Sequence, residues 1–410
     1  MAVIPRFSLA LSTGELFMML SGLPSAGHTM GPIEELEKAF ATYIGAKHAF
    51  FVPSARLGLF LIIKSMGLPE GSKIIIPAWT HASVPAMARA CGLVPCFVDV
   101  DDRTFNMNPE AIPDEALREA SAIVPTHLYG CPCPMDTLLE KARSSGLKVI
   151  EDCAQGCGAR YGEKTVGSLG DASYFSFSLT KNFTTMGGGM IATSDPGLAE
   201  KLRASLAARS PGAKMLAPLI KAMAFKCGTE PFIFSLTLYP FLRLFAKGGK
   251  DPLHEAFEEH VSMEKPSIEK LLCSDLQGRL GLSQLKDLDR KNEARHRWGK
   301  LLIEKLGDLG GITLPVIPEK AFHIFLSFVI KCENRGALAA ELLKLGVDTS
   351  PGYLKACFLL PELSSFRREC PVAEGAATRQ LHLPLYPSMT EGIIDHIAKS
   401  LKAAHGKIKA

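Results

Sequence analysis

The chain has 410 residues, of which 47% are hydrophobic and 21% are charged, and its formal net charge is +4. These values describe a globular protein long enough for two or three domains, and so small a charge excludes a strongly basic nucleic-acid-binding protein. The eleven cysteines are scattered and complete no zinc site, so we expect reduced thiols and a cytoplasmic protein. Glu15 interrupts the apolar run 7–23, which disfavours a signal peptide.

Short apolar strands alternate with helices through the first half of the chain. The patterns predict helices over 33–46, 55–66, 82–91 and 135–145, a helical stretch from Pro109, and strands over 49–53, 73–76, 94–98, 122–125 and 148–150. This alternation indicates an α/β fold with a mostly parallel sheet sandwiched by helices. Sites in such sheets lie at the carboxyl ends of the strands, where Asp152, His127 and residues 77–81 fall.

The second half of the chain has a different pattern. It predicts helices over 198–207, 275–305 and 335–345, a strand over 325–330, and a last helix with Thr390 as its N-cap. These elements indicate a smaller C-terminal α+β domain. We therefore divide the chain into an N-terminal arm (1–30), a large domain (31–208), an apolar basic insertion (209–262) and a small domain (263–410).

The segment 149–193 carries the most informative motif. Its first strand ends on the acid pair Glu151 and Asp152, and Lys181 follows before a run of three glycines and a second apolar strand, 190–192. Pyridoxal 5'-phosphate (PLP) needs an anion beside its pyridinium nitrogen and an amine that holds it as a Schiff base. Asp152 and Lys181 therefore predict a PLP site.

A series of motifs resembles the DegT/StrS-type sugar aminotransferases, which have the aspartate-aminotransferase fold (PLP fold type I). The resemblance covers most of the chain, and the motifs that carry it are residues 33–55, 98–112, 124–136, 151–182 and 371–390. It implies that Lys181 is the catalytic residue, which would bind PLP covalently and move a proton between the substrate carbon and the cofactor. It also implies that Asp152 pairs with the protonated pyridine nitrogen.

The resemblance implies further cofactor contacts. Gln155 would lie next to the 3-oxygen of the ring, and Ser176 would donate its hydroxyl to the phosphate. The backbone at Ala55, where a helix begins, would bind the same phosphate. Arg56 stands where the family usually has threonine, so a guanidinium would replace a hydroxyl as a phosphate ligand.

Two more positions match family residues that surround the cofactor. His81 would stack on the ring, with Trp79 as an alternative that we expect to be in the core. The residue that the family donates across its dimer falls at Lys270, where asparagine is usual, and Leu272 replaces the usual arginine. The resemblance thus implies a homodimer with shared active sites. His127 is equally consistent with a structural histidine and with a substrate contact.

The insertion includes a segment, 211–250, that is longer and more apolar than the family's usual connection. It has six basic residues and one acid, Glu230, and its second half is rich in phenylalanine and leucine. Pro240 and Arg243 interrupt the apolar run, which argues against a transmembrane helix. Two interpretations stay open: contact with a membrane surface, or packing against the sheet domain or a dimer partner.

The leading hypothesis is a PLP-dependent aminotransferase that moves an amino group from an amino acid, with glutamate as the expected donor, to a keto sugar. The sugar would be nucleotide-linked, and the pathway would make a cell-surface polysaccharide or a secondary metabolite. One alternative is a lipid-linked or membrane-presented keto substrate, with the protein peripheral to the inner face of the membrane. Another is an inactive PLP-fold regulator or binding module, which the intact set of Asp152, Gln155, Ser176 and Lys181 disfavours. Some relatives are dehydratases with histidine at the Schiff-base position, which Lys181 also disfavours.

Overall fold

A computed structural model describes residues 3–25, 29–246, 264, 266–267 and 271–409, so Lys270 and the end of the predicted insertion lie outside the described residues. The helices are α1 (Thr13–Gly22), α2 (Gly31–Ile44), α3 (Ala55–Met66), α4 (Ser83–Ala90), α5 (Asp114–Glu119), α6 (Met135–Ser144), α7 (Pro196–Ser205), α8 (Leu216–Gly228), α9 (Pro231–Leu236), α10 (Leu238–Ala246), α11 (Asp275–Leu306), α12 (Arg335–Lys344), α13 (Pro371–Arg379) and α14 (Glu391–Lys409). The strands are β1 (His48–Val52), β2 (Lys73–Pro77), β3 (Trp79–Thr80), β4 (Val94–Val98), β5 (Ala120–Ile123), β6 (Lys148–Asp152), β7 (Arg160–Tyr161), β8 (Lys164–Thr165), β9 (Ala172–Ser176), β10 (Gly189–Thr193), β11 (Arg209–Pro211), β12 (Leu271–Cys273), β13 (Ile312–Thr313), β14 (Ala321–Phe322), β15 (Phe328–Cys332), β16 (Lys355–Ala356) and β17 (Gln380–Leu383).

The large domain is built on a seven-stranded sheet with the order β1-β10-β9-β6-β5-β2-β4. Only β10 is antiparallel to its neighbours, and the other adjacent pairs are parallel. Successive side chains of a strand point to opposite faces, so Ile191 packs in the cluster that includes α3, α4 and α7, whereas Met190 and Ala192 pack in the cluster of α2. Helices therefore cover both faces, and the predicted α/β architecture is confirmed.

The parallel strands β2, β5, β6 and β9 end at the same edge of the sheet, and β1 runs in their direction. Asp152 and Ser176 are the last residues of β6 and β9. Helix α3 begins just after β1, with Ser54 as its N-cap. Residues that are distant in sequence thus meet at one edge, where open parallel sheets usually form their sites.

The small domain has an antiparallel sheet in which β15 lies between β13 and β17. Its core is formed by this sheet, α12, α14 and the second half of α11. The first half of α11 packs instead against α2, so closely that a Cβ on Gly278 would lie 2.4 Å from the backbone of Pro32. The strand predicted over 325–330 begins later, at Phe328, because Phe325 has φ 44° and stacks on the ring of His323.

The described part of the insertion, 209–246, contains β11 and the three helices α8, α9 and α10. Leu219 of α8 packs in one cluster with Met186, which lies in the turn between β9 and β10. Phe234 and Leu242, from α9 and α10, pack against Leu343 of α12. Within the part of the chain that the structure describes, none of the helices combines the length and the apolar character that a membrane span requires.

Candidate active site

Asp152 is buried at the carboxyl end of β6. Its Oδ1 accepts a 3.0 Å hydrogen bond from the Ala154 amide, and its Oδ2 lies 3.5 Å from the Thr126 hydroxyl. Burial raises the pKa of this carboxyl, whereas the Ala154 amide, the Tyr174 hydroxyl and the charge of Lys181 act to lower it. Because burial disfavours a carboxylate without a counter-charge, a protonated ring nitrogen bound here would be stabilised.

Lys181 lies in the turn that connects β9 to β10, and its side chain is half-buried. The Lys181 amide donates a 3.1 Å hydrogen bond to the carbonyl oxygen of Ser178, which closes the turn. Since β9 pairs with β6 in parallel, this turn leaves the sheet at the edge where Asp152 lies. The two side chains are close enough to attract each other electrostatically. The structure thus brings together the predicted amine and the predicted carboxylate.

The N-terminus of α3 lies beside Ser176. The Ser54 hydroxyl accepts a 3.2 Å hydrogen bond from the Leu57 amide and caps the helix. Gly189 pairs with Ser176 in the sheet, and a Cβ on Gly189 would lie only 3.0 Å from the Ala55 amide nitrogen. Among the described residues, the Ser176 hydroxyl makes no hydrogen bond. Free helix amides and a hydroxyl beside a glycine form a cradle that fits a phosphate group.

Two cations are predicted near the same cradle. Arg56 is the second residue of α3 and is exposed, and its guanidinium makes no hydrogen bond or ion pair with any residue in the described ranges. It is therefore available to an anion at the start of the helix. Lys270, the other predicted cation, lies outside the described residues.

Gln155 is oriented by a backbone contact. Its Oε1 accepts a 2.9 Å hydrogen bond from the Tyr129 amide. With the oxygen used in this way, the NH₂ group of Gln155 is the part of the side chain that can donate to a ligand. This orientation fits the donor that the 3-oxygen of the cofactor ring would need.

His81 and Trp79 differ in their surroundings. Trp79 is buried, and its indole N–H donates a 3.0 Å hydrogen bond to the Tyr129 hydroxyl, which agrees with the predicted core position. His81 is half-buried in the loop after β3, and its Nδ1 accepts from the Ser83 amide at 3.3 Å and lies 2.7 Å from the Ser83 hydroxyl. This loop contact restrains the imidazole, so His81 remains the better candidate for stacking.

His127 is held in a buried network with Glu151. Its Nδ1 accepts a 3.0 Å hydrogen bond from the Cys133 amide, so Nε2 carries the proton and donates to the Glu151 carboxylate at 3.1 Å. The same carboxylate accepts from three more backbone amides, those of Gly167, Leu169 and Gly170. His127, Glu151 and Cys153 are near enough to hold a metal ion, but both imidazole nitrogens are already used. These contacts support the structural interpretation of His127.

Sequence reasoning did not identify Thr126 and Tyr174 as neighbours of Asp152. Tyr174 lies directly opposite Asp152 in the parallel register of β6 and β9, and Thr126 forms an isolated bridge to Asp152 from the end of β5. Their hydroxyls surround the carboxylate. The signal that indicates them is positional, because Thr126 follows β5 and Tyr174 lies within β9, the two strands that flank β6.

A cleft of about 420 Å³ adjoins the turn that carries Lys181. Leu179 and Met186 line it from this turn, and Pro218 and Lys221 line it from α8. The insertion therefore forms one wall of a space beside the candidate active site.

Comparison with known proteins agrees with this geometry. The model of the DegT/DnrJ/EryC1/StrS aminotransferase family matches residues 18–225 and 248–402. The described residues between these stretches, 226–246, include the end of α8 and all of α9 and α10. The family match confirms the resemblance inferred from the sequence motifs.

Individual proteins are similar over nearly the whole chain. GDP-perosamine synthase of Caulobacter vibrioides is 30% identical over 375 residues, which are 90% of this chain and 89% of the relative. The spore coat polysaccharide biosynthesis protein SpsC of Bacillus subtilis is 28% identical, over 93% of this chain and 91% of the relative. The structure of the sugar aminotransferase CalS13 from Micromonospora echinospora superposes with a TM-score of 0.76 at 22% identity, covering 98% of this chain and 99% of that one.

Proposed function

The chain belongs to the DegT/DnrJ/EryC1/StrS aminotransferase family, whose enzymes depend on PLP, and we propose that it moves an amino group from glutamate to a nucleotide-linked keto sugar. The observation that carries the proposal is the proximity of Lys181 and Asp152 at the sheet edge that also bears the α3 cradle. The relative from Caulobacter vibrioides has a GDP-linked sugar in its name, which supports the nucleotide linkage. The relative from Bacillus subtilis supports a role in making a cell-surface polysaccharide, and a secondary metabolite is the other product class.

Bound PLP supplies a carbonyl carbon that receives the amino group and a ring that withdraws electrons from the substrate carbon. Lys181 would hold the cofactor through Nζ and move the proton at the substrate carbon. Asp152 would keep the ring nitrogen protonated, because a buried carboxylate and a buried cation each relieve the desolvation of the other.

The remaining predicted residues would orient the cofactor. The Gln155 NH₂ group would donate to the ring oxygen, and the His81 imidazole would cover one face of the ring. The phosphate would lie in the α3 cradle, where the Ala55 amide and the Ser176 hydroxyl donate to it and Arg56 neutralises its charge. Fixing the phosphate and the ring nitrogen at two separate points sets the angle at which Lys181 meets the reacting carbon.

Absorbance spectroscopy tests the assignment of the amine. We expect the purified protein with PLP to be yellow and the colour to fade when glutamate is added. Lys181→Ala should lack the yellow band, whereas Lys164→Ala, which removes an exposed lysine on β8, should keep it. A yellow Lys181→Ala variant, or a wild-type protein that never develops the band, would contradict the proposal. The second result would favour the inactive binding module.

The acceptor is tested on the protein that glutamate has converted to its aminated form. Keto sugars linked to a nucleoside diphosphate should restore the yellow colour, and the same sugars without the nucleotide should restore it weakly. A membrane-presented acceptor is the second candidate, because α8 forms one wall of the cleft beside the Lys181 turn. Restoration only by a polyprenyl-phosphate-linked keto sugar would favour this candidate over the first.

We further propose that the protein is a homodimer with shared sites, in which Lys270 reaches the cofactor phosphate bound by the partner. We also propose the division of the chain into an N-terminal arm, a large domain, an insertion and a small domain, with the bounds given above. All eleven cysteines are free of disulfides, ten of them buried, which supports a reducing compartment. Sedimentation of the PLP-loaded protein measures the dimer. Lys270→Ala should weaken PLP binding without dissociating the dimer, and unchanged PLP binding would remove Lys270 from the site.

A further inference from the structure

We propose that helices α1, α8, α9 and α10 form a docking face that binds the surface of an anionic lipid bilayer. The proposal concerns where the protein sits, and it holds or fails independently of the aminotransferase activity. It is based on the exposure and the charge of the side chains on these four helices, and on the contacts between the helices.

The docking face exposes an unusual amount of apolar side chain. Among the described residues, thirteen large hydrophobic side chains are exposed, and ten of them lie on these four helices. The ten are Phe17, Leu20, Leu216, Ile220, Met223, Phe232, Ile233, Leu236, Phe241 and Leu244. Such a concentration is not the scatter of single apolar residues that is normal on a protein surface.

The four helices are connected to one another. Helix α8 contacts both α1 and α9, and α9 contacts α10. On α8 the exposed Leu216, Ile220 and Met223 have the spacing of one helix face. With roughly 200 Å² per side chain, about half exposed, the ten side chains present on the order of 1,000 Å² of apolar surface. Soluble proteins rarely expose a continuous apolar patch of more than a few hundred square ångströms, so this face is expected to be covered.

The inner sides of these helices are already packed. Leu219 and Ala222 of α8, Phe234 of α9 and Leu242 of α10 are buried, and the Tyr239 hydroxyl donates a 2.9 Å hydrogen bond to the carbonyl oxygen of Leu343. The helices are therefore attached to the body of the protein through one side. The exposed residues are on the other sides, where docking would leave the existing contacts unchanged.

The positive charge of the insertion favours an anionic bilayer as the surface that covers the docking face. Over residues 211–246 there are four basic residues, Lys214, Lys221, Lys226 and Arg243, and a single acid, Glu230. A symmetric contact of this face with a second copy of the chain would bring these like charges together. Lys226 is half-buried and donates a 2.8 Å hydrogen bond to the Leu11 carbonyl oxygen. Anionic headgroups attract the other three, which are exposed, while the acyl boundary accepts the phenylalanines and leucines.

The docking face lies close to the candidate active site. Helix α8 lines the cleft beside the Lys181 turn, so a docked protein holds its candidate active site close to the membrane. Residues 226–247, which include α9 and α10, are also the stretch that the family match leaves out. The docking face is thus in part an addition to the family's fold.

Vesicle flotation of the full-length, PLP-loaded protein tests the proposal. We expect binding to vesicles of one part phosphatidylglycerol and three parts phosphatidylcholine, and at least ~10-fold weaker binding to phosphatidylcholine alone. The combined variant Ile220→Ser, Phe232→Ser, Leu236→Ser and Leu244→Ser should lose binding by at least ~10-fold. Leu359→Ser, which removes an exposed leucine outside the face, should bind like wild type.

Two further measurements test the role of charge and distinguish a bilayer from a second copy of the chain as the partner of the docking face. Arg243→Gln with Lys221→Gln should weaken binding to the anionic vesicles by roughly 30-fold, since each of the two basic residues near such a surface contributes about 1 kcal/mol. Light scattering after size exclusion should give the same mass for wild type and the four-serine variant. Absence of vesicle binding by wild type, or undiminished binding by the folded four-serine variant, overturns the proposal. A fall in mass of the four-serine variant, with no vesicle binding by wild type, assigns the face to a second copy of the chain.

Discussion

Glu151→Gln is expected to destabilise the protein strongly, although it changes only one atom of the side chain. In the wild type, one carboxylate oxygen accepts from the His127 Nε2–H and the Gly167 amide, and the other accepts from the Leu169 and Gly170 amides. A glutamine has one oxygen to accept and one NH₂ group that donates. In either orientation, its NH₂ group faces two donors.

The network offers no simple escape from this conflict. His127 cannot move its proton to Nδ1, because the Cys133 amide donates to that nitrogen. The Glu151 and His127 side chains are fully buried, so water does not reach the position of the lost acceptor, although Leu169 and Gly170 are themselves half-buried. Two buried donors without an acceptor each cost about 1–3 kcal/mol, so we expect a loss of about 3–5 kcal/mol in the free energy of unfolding.

Urea unfolding followed by circular dichroism measures this difference. Glu163→Gln is the matched control, because Glu163 is exposed and makes no hydrogen bond with any described residue, and it should change the free energy by less than about 0.5 kcal/mol. A loss of less than about 1 kcal/mol in Glu151→Gln would show that the network is not satisfied in the way described.

Two other changes test the cradle and the buried histidine. Gly189→Ala would place a Cβ 2.4 Å from the Phe175 carbonyl oxygen and 3.0 Å from the Ala55 amide nitrogen. We therefore expect urea unfolding to show a loss of about 1–3 kcal/mol in stability, and PLP titration to show binding that is at least ~10-fold weaker. Gly336→Ala is the control and should change neither quantity, because a Cβ at Gly336 would meet open space. Burial lowers the pKa of His323 from 6.5 to about 3. Below pH 6.5 the unfolded chain therefore binds a proton at this histidine that the folded protein does not bind, and the folded state loses stability as the pH falls. At about 1.4 kcal/mol per pH unit, wild type should lose about 2 kcal/mol more than His323→Gln between pH 7.5 and 5, and parallel pH dependences of the two proteins would contradict this.

The sequence alone was sufficient to predict the kind of fold, and it also led to the pair that we propose for the site. Asp152 was predictable because an apolar strand ends on it, and in a parallel sheet such an end lies at the site edge. Lys181 was predictable because it stands in a motif whose order matches a family. Helix α3 was predicted with its observed bounds, since Ser54 is a strong N-cap and Gly67 a natural stop.

The surroundings of these residues were decided by the tertiary structure. Tyr174 faces Asp152 only through the register between β6 and β9, and sequence spacing contains no information about register between strands. The role of His127 depends on Glu151 and on the Cys133 amide, which compete with any ligand for its two nitrogens. The composition of the insertion predicted an amphipathic segment, but only packing determined that Leu219, Phe234 and Leu242 turn inward. Local pattern thus determines which elements form, whereas contacts between distant segments determine which side chains remain available for chemistry.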